Sequence, residues 1–247
     1  IHNIDIRIER KTIDEMDAVI TVGPSLVEIL QRKTSKKINL ISNGYDDKYF
    51  ADFQYKPNNK FRITYAGSLS KEQDPICFFN ALELLKENQE FFDNSELLFL
   101  GNFPVYLKDL IEKSSYKEKT VFLPYTFYTD SLESIASSEL LLLIVPQTSD
   151  NKCIITSKLF DYMGAQRPVL AFGPTDGDAA VILSDAGAGA IYDYPDSQNA
   201  ADFILKNFSA WKNKEEGSPI QKEKIERFTR RNLTKQLAEI FDNAVNS

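Results

Sequence analysis

Leu140-Leu141-Leu142-Leu143-Ile144-Val145 is an unbroken apolar run, and the segment beyond it decides the fold. A polar loop, Pro146–Ile155, leads into Thr156-Ser157-Lys158-Leu159-Phe160-Asp161-Tyr162-Met163-Gly164-Ala165, where apolar residues recur at helical spacing. Gln166-Arg167 then precedes a second apolar run, Pro168–Phe172. Strand, helix, strand with continuous rather than alternating hydrophobicity is the pattern of a parallel sheet covered by helices on both faces.

The same alternation extends in both directions. Strands are expected at Ala18–Val22, Ile38–Ser42, Phe61–Ala66, Glu96–Gly101, Thr120–Leu123 and Ala190–Tyr192, in addition to the two above. Helices are expected at Ser25–Gln31, Pro75–Phe91, Val105–Ser114, Asp130–Ser137, Thr156–Ala165, Asp178–Ala186 and Asn199–Trp211, with a last one over 220–245 after the polar linker Asn213–Ser218. Asp74-Pro75 reads as an N-cap followed by proline at the first helical position. From Phe61 to Tyr192 this makes one doubly wound α/β domain. The segment Ile13–Ser42, read as helix, strand, helix and strand, is too little to close a core. Residues 1–42 are therefore expected to be the tail of a preceding domain, and residues 43–247 one Rossmann-like unit that includes the terminal helix.

Composition narrows the function. A net charge of -7 argues against a nucleic-acid surface, and the basic clusters Arg32–Lys37 and Lys222–Arg231 read as solvated faces. No apolar run is long enough to span a bilayer and no signal peptide opens the chain. Cys77 and Cys153 lack metal or disulfide-framework spacing and read as reduced thiols of a cytoplasmic protein. His2 is the sole histidine, which argues against a Ser-His-Asp system or a histidine-held metal. Asp176-Gly177-Asp178 has the Asp-x-Asp form of a divalent-metal site, but in a turn before a helix it reads first as capping. No metal or cofactor is expected.

Ligands of doubly wound sheets bind beyond the carboxyl ends of the strands. Two loops there carry suitable chemistry. In Tyr65–Lys71, Gly67 permits close backbone approach, and Ser68 and Lys71 can donate to phosphate; a plain turn with a solvated lysine is the alternative. At Thr156-Ser157-Lys158 a helix start offers free N–H groups, and a lysine in a first turn is unfavourable without an anion nearby. Lys158 and Asp161, three apart, are alternatively an intrahelical ion pair.

The segment from Thr156 to Leu170 resembles the donor-site segment of family 4 glycosyltransferases, which have the GT-B architecture. Asn43-Gly44-Tyr45-Asp46 resembles the Asn-Gly-x-Asp that closes the first domain in that family, Asp17–Val22 its final strand, and Val121–Pro124 the strand leading to the base pocket. The resemblance implies transfer of a hexose-type sugar from a nucleoside-diphosphate donor to a hydroxyl acceptor, in polysaccharide or glycolipid assembly, with no metal. Asp161 would hold the ribose hydroxyls; Lys158, as the catalytic cation, would face the diphosphate with Thr156 and Ser157; Gly67, Ser68 and Lys71 would border it; the backbone at Pro124 and Tyr125 would border the base. A sugar or lipid-linked acceptor would bind a missing first domain, with peripheral contact at the inner face of a membrane, and this chain alone would bind donor but scarcely turn over. The sequence departs from the family where Cys153 stands for a sugar-contacting glutamate, Ser68 for an arginine and Gln73 for a basic residue. The alternatives are a non-catalytic nucleotide-sugar-binding module and a nucleotide-sugar 2-epimerase. A flavodoxin-like domain fits six strands and the Asn43–Asp46 junction less well.

Overall fold

Runs such as Leu140–Val145 bury every side chain, and a strand that does so needs neighbours on both sides and helices above and below. In the computed structural model, which describes residues 2–51, 53, 55, 58–215 and 220–246, six runs pair in this way. The first part of the chain gives α1 (His2–Glu15), β1 (Val19–Thr21), α2 (Pro24–Gln31) and β2 (Ile38–Leu40). Then come β3 (Phe61–Ala66), α3 (Ile76–Leu85), α4 (Gln89–Asn94), β4 (Ser95–Leu100), α5 (Val105–Glu112), β5 (Thr120–Leu123) and α6 (Tyr128–Ala136). The remainder is β6 (Leu140–Ile144), α7 (Lys158–Gly164), β7 (Val169–Phe172), α8 (Asp178–Ala186), β8 (Gly189–Tyr192), α9 (Ser197–Lys212), α10 (Lys222–Ile225) and α11 (Arg230–Val245).

The six-stranded sheet is parallel throughout, in the order β5-β4-β3-β6-β7-β8, while β1 and β2 form a separate parallel pair. All of β6 and β7 is buried, whereas β5, at the edge, exposes Val121 and Leu123. One core lies under α3 and α9, around Phe61, Phe99, Leu142 and Phe208; the other lies under α6, α7 and α8, around Leu143, Leu159, Met163 and Leu183.

The strand order reverses direction between β3 and β6. These two pair only at Ile63↔Leu140 and Thr64↔Leu141 and then part. Tyr162 fills the gap: its hydroxyl accepts from Ala66 N–H at 3.0 Å and donates to Leu142 O at 3.2 Å. The divergence opens a crevice between the loops after β3 and β6, the place where doubly wound sheets bind ligands.

Two expected helices are broken. The span Pro75–Phe91 divides because the Asn88 side chain accepts from Phe91 N–H at 3.1 Å, capping α4 in place of continuing α3. Asp74 still accepts from Ile76 N–H at 3.0 Å, but Pro75 is the N-cap rather than the first helical residue. The terminal helix over 220–245 breaks at Thr229, whose hydroxyl accepts from Asn232 N–H at 3.3 Å and caps α11. The break lets Tyr45 take both backbone partners, its N–H donating to Phe228 O at 3.1 Å and its carbonyl accepting from Arg230 N–H at 2.8 Å. Of the linker Asn213–Ser218, residues 216–218 lie outside the described residues. The first helix begins at His2, well before Ile13, and its Ile13 is buried. Among the described residues no helix is long and apolar enough to cross a membrane.

Candidate functional site

Lys158 opens α7 and reaches across the crevice to β3. Its ammonium donates to the Tyr65 hydroxyl at 2.5 Å and stands 4.0 Å from the centre of the Tyr65 ring. Tyr65 in turn donates to the Ser68 carbonyl at 3.0 Å, and its ring stacks on Phe99 at 6.2 Å. Gly67, at φ +111°, lies so close that a Cβ there would stand 3.2 Å from Lys158 Nζ. Lys158 thus rests in a half-buried slot between a glycine and an aromatic floor, without a carboxylate partner among the described residues. Burial alone pulls its pKa down to about 8. The alternative of an ion pair with Asp161 is overturned: the lysine turns to Tyr65, and Asp161 accepts from the Tyr128 hydroxyl at 2.7 Å.

Burial pushes the Asp161 carboxyl above the usual carboxylate range, opposed by the Tyr128 hydrogen bond and by the charge of Arg230. Tyr128 sits edge-on to Tyr49 at 5.5 Å, so Asp161 ends a short row of aromatic side chains. Two residues before Lys158, the Thr156 hydroxyl is buried and has no hydrogen-bond partner. A desolvated cation, a desolvated carboxyl and an orphan hydroxyl on one short segment each cost stability, and such costs persist where a ligand relieves them.

The remaining sequence-selected residues are placed less closely. Ser68 is exposed, with its carbonyl held by Tyr65. Ser157 is the exposed N-cap of α7 and its side chain makes no capping bond. Lys71 is exposed on the loop after β3. Tyr125 is 77% exposed, in the loop between β5 and α6. Gln73 is buried, donating to Ile144 O at 2.9 Å and accepting from Ser70 N–H at 3.2 Å, so it braces the loop. Cys153 lies in a 3-10 turn ahead of α7.

The aspartates of the Asp-x-Asp segment are otherwise engaged. Asp178 is 3% exposed and accepts from Ser25 Oγ at 2.6 Å and from Ser25 N–H at 3.2 Å, capping the start of α2 rather than its own helix. Asp176 pairs with Lys152 at 2.5 Å. Within the basic clusters, Lys33 pairs with Glu9, Arg227 with Asp185 and Arg231 with Asp47, as solvated faces do. Tyr65 and Tyr128, to which the sequence assigned no role, hold Lys158 and Asp161. Both work through hydroxyls whose partners are distant in sequence.

No protein family matches the sequence, and neither does any curated protein. Solved structures do. The chain is similar to Anabaena HepE in complex with UDP, at 15% identity and TM-score 0.76 over 96% of this chain and 67% of that one. It is similar to sucrose-phosphate synthase from Thermosynechococcus elongatus, at 12% identity and TM-score 0.75 over 98% of this chain and 61% of that one. The pneumococcal O-GlcNAc transferase GtfA, in complex with UDP and GlcNAc, matches at 13% identity and TM-score 0.68, over 97% of this chain but only 47% of its own. The shared element is the parallel sheet with helices on both faces, and the chain has the GT-B fold of these glycosyltransferases.

Proposed function

We propose that this chain is the donor-binding part of a glycosyltransferase that moves a sugar from a nucleoside-diphosphate donor to a hydroxyl acceptor. The observation that carries the proposal is Lys158, an ammonium held in the crevice between Gly67 and Tyr65 with no carboxylate beside it among the described residues. A desolvated cation of this kind gains most from an anion. A diphosphate supplies one, and its charge grows as the sugar–oxygen bond breaks, so Lys158 would stabilise the leaving group preferentially in the transition state. Asp161 would accept from the ribose hydroxyls. Thr156 and Ser157 would donate to the phosphates, Gly67, Ser68 and Lys71 would line them, and the Tyr125 loop would border the base. The donor-binding unit would span residues 43–247, with residues 1–42 belonging to the acceptor-side domain, where a sugar or lipid-linked acceptor would bind. Two of the structural neighbours were solved with UDP, which makes UDP the first nucleotide to test.

Titration calorimetry with UDP and uridine, with and without EDTA, tests the reading. UDP should bind without divalent metal, much more tightly than uridine, and Lys158→Met should abolish that difference. Loss of UDP binding on chelation would return Asp176 and Asp178 to consideration. UDP affinity should hold steady just below pH 8 and fall above it, by up to about tenfold per unit, as Lys158 loses its proton. A second reading, a nucleotide-sugar-binding module without transfer, is favoured by the inward-turned Gln73, which leaves no cation at that place. Binding of UDP-sugar with no hydrolysis or transfer by the full-length protein would select it.

A further inference from the structure

We propose that the opposite end of the sheet carries a second ligand site, for a small organic anion with a flat apolar body. A cavity of about 810 Å³ opens there, at the amino ends of β3 and β7 and against the end of α9. That volume lies within the range of small-molecule pockets. Its floor is aromatic: the half-buried Trp211 ring faces it, backed by the buried rings of Phe61, at 5.9 Å and edge-on, and Phe208, at 5.7 Å. Flat apolar groups pack well against such a surface.

The wall supplies a cation. Arg167 lines the cavity with its guanidinium 3.7 Å from the centre of the Tyr55 ring. Its Nε makes only a long bond to Ala165 O, 3.4 Å, and no hydrogen bond engages its terminal nitrogens among the described residues. Glu139 also lines the cavity, but its carboxylate already accepts from the Tyr55 hydroxyl, Asn58 N–H and Arg62 N–H at 2.8–3.0 Å. Burial lowers the Arg167 pKa against the opposing pull of Tyr55 and Glu139, and its planar fork, with both terminal nitrogens unbonded among the described residues, suits a carboxylate, sulfonate or phosphate. The strand length separates this end from Lys158, roughly 20 Å for six residues. The site is therefore independent of the proposed nucleotide crevice.

Trp211 is the chain's sole tryptophan and lines the cavity, so energy transfer from it reports occupancy. The probes are 1-anilinonaphthalene-8-sulfonate and its uncharged analogue N-phenyl-1-naphthylamine. The sulfonate should bind saturably at one site, with transfer from Trp211, undisturbed by UDP. Arg167→Gln should weaken the sulfonate about tenfold or more while changing the neutral probe less than about twofold. Lys214→Glu, an exposed change on the rim, should weaken the sulfonate selectively by about threefold and settles the matter if Arg167→Gln fails to fold. Absence of saturable transfer, displacement by UDP, or equal effects on both probes in either variant would overturn the proposal.

Discussion

Glu139 and Lys158 are buried or half-buried charges at opposite ends of the same sheet, and the protein treats them differently. Glu139, just before β6, is 5% exposed and accepts from three donors at 2.8–3.0 Å, with Asn58 Nδ2 at 3.3 Å from either oxygen. Every lone pair has work inside the fold, and the carboxylate ties residues 55 and 58 to the first turn of β3. Lys158, after β6, has a phenol hydroxyl, a ring face and a glycine for company. The first charge is compensated by the chain, and the second is left for something the chain does not supply. Compensation, rather than burial, separates a structural charge from a binding one.

The largest effect should come from removing the compensated charge. Glu139→Ala leaves the Arg62 and Asn58 N–H groups and the Tyr55 hydroxyl unsatisfied and should cost about 3–5 kcal/mol, read by urea unfolding. UDP affinity of the remaining folded protein should be unchanged. A loss below about 1 kcal/mol would mean that water replaces the carboxylate easily and the contrast with Lys158 fails.

Removing the uncompensated charge should do the reverse. Lys158→Met should reduce UDP affinity by about thirtyfold or more, the worth of a charged hydrogen-bonded contact, while raising the melting temperature of the free protein at pH 7. The sign comes from linkage. Folded Lys158 titrates near pH 8 and an unfolded lysine near 10.4, so the folded state binds fewer protons between those values. The penalty on the wild type is complete below pH 8 and fades as pH rises towards 10.4. The stability advantage of Lys158→Met should fade over the same window. An advantage independent of pH would trace to packing of the methionine instead.

Gly67→Ala sharpens the comparison from the glycine's side. The new methyl would stand 3.2 Å from Lys158 Nζ at a φ of +111°, which L side chains rarely adopt. A destabilisation of about 1–2 kcal/mol is expected, together with weaker UDP binding as the ammonium is displaced. Weaker binding with unchanged stability would show that the loop relaxes freely and that only the lysine's position matters.

Much of this architecture was legible because burial on both faces leaves its mark in the chain. Leu140–Ile144 and Val169–Phe172 are runs of apolar residues with nothing to alternate against. Breaks within helices were less legible, because Asn88 and Thr229 cap only where the chain beyond them finds another partner, and that partner is tertiary. At the site, Gly67, Lys158 and Asp161 could be chosen by type and spacing. The contacts that set their chemistry could not, since Tyr65 and Lys158 are 93 residues apart, Tyr128 and Asp161 33, and Ser25 and Asp178 153. Helical spacing suggested that Lys158 and Asp161 would pair. It gave no hint that an aromatic floor lay on the far side of the crevice.

The smallest expected effect concerns Asp161, which falls between the two extremes. Among the described residues its carboxyl has one donor, the Tyr128 hydroxyl at 2.7 Å, and room to accept more. Burial raises its pKa above an unfolded aspartate, so the folded state binds the extra proton and stability falls as pH rises through the interval just above the unfolded value of about 3.9. Tyr128→Phe removes the donor that opposes this shift. The carboxyl should therefore titrate higher still, and the pH range over which stability falls should extend upward. UDP affinity should drop by less than about 1 kcal/mol near pH 7, and by more as pH falls and the carboxyl takes up its proton. Asp161→Asn in the same series should remove the pH dependence altogether. If Tyr128→Phe weakens UDP equally at every pH, Tyr128 acts on the nucleotide directly, and Asp161 stands closer to the compensated class of Glu139 than to that of Lys158.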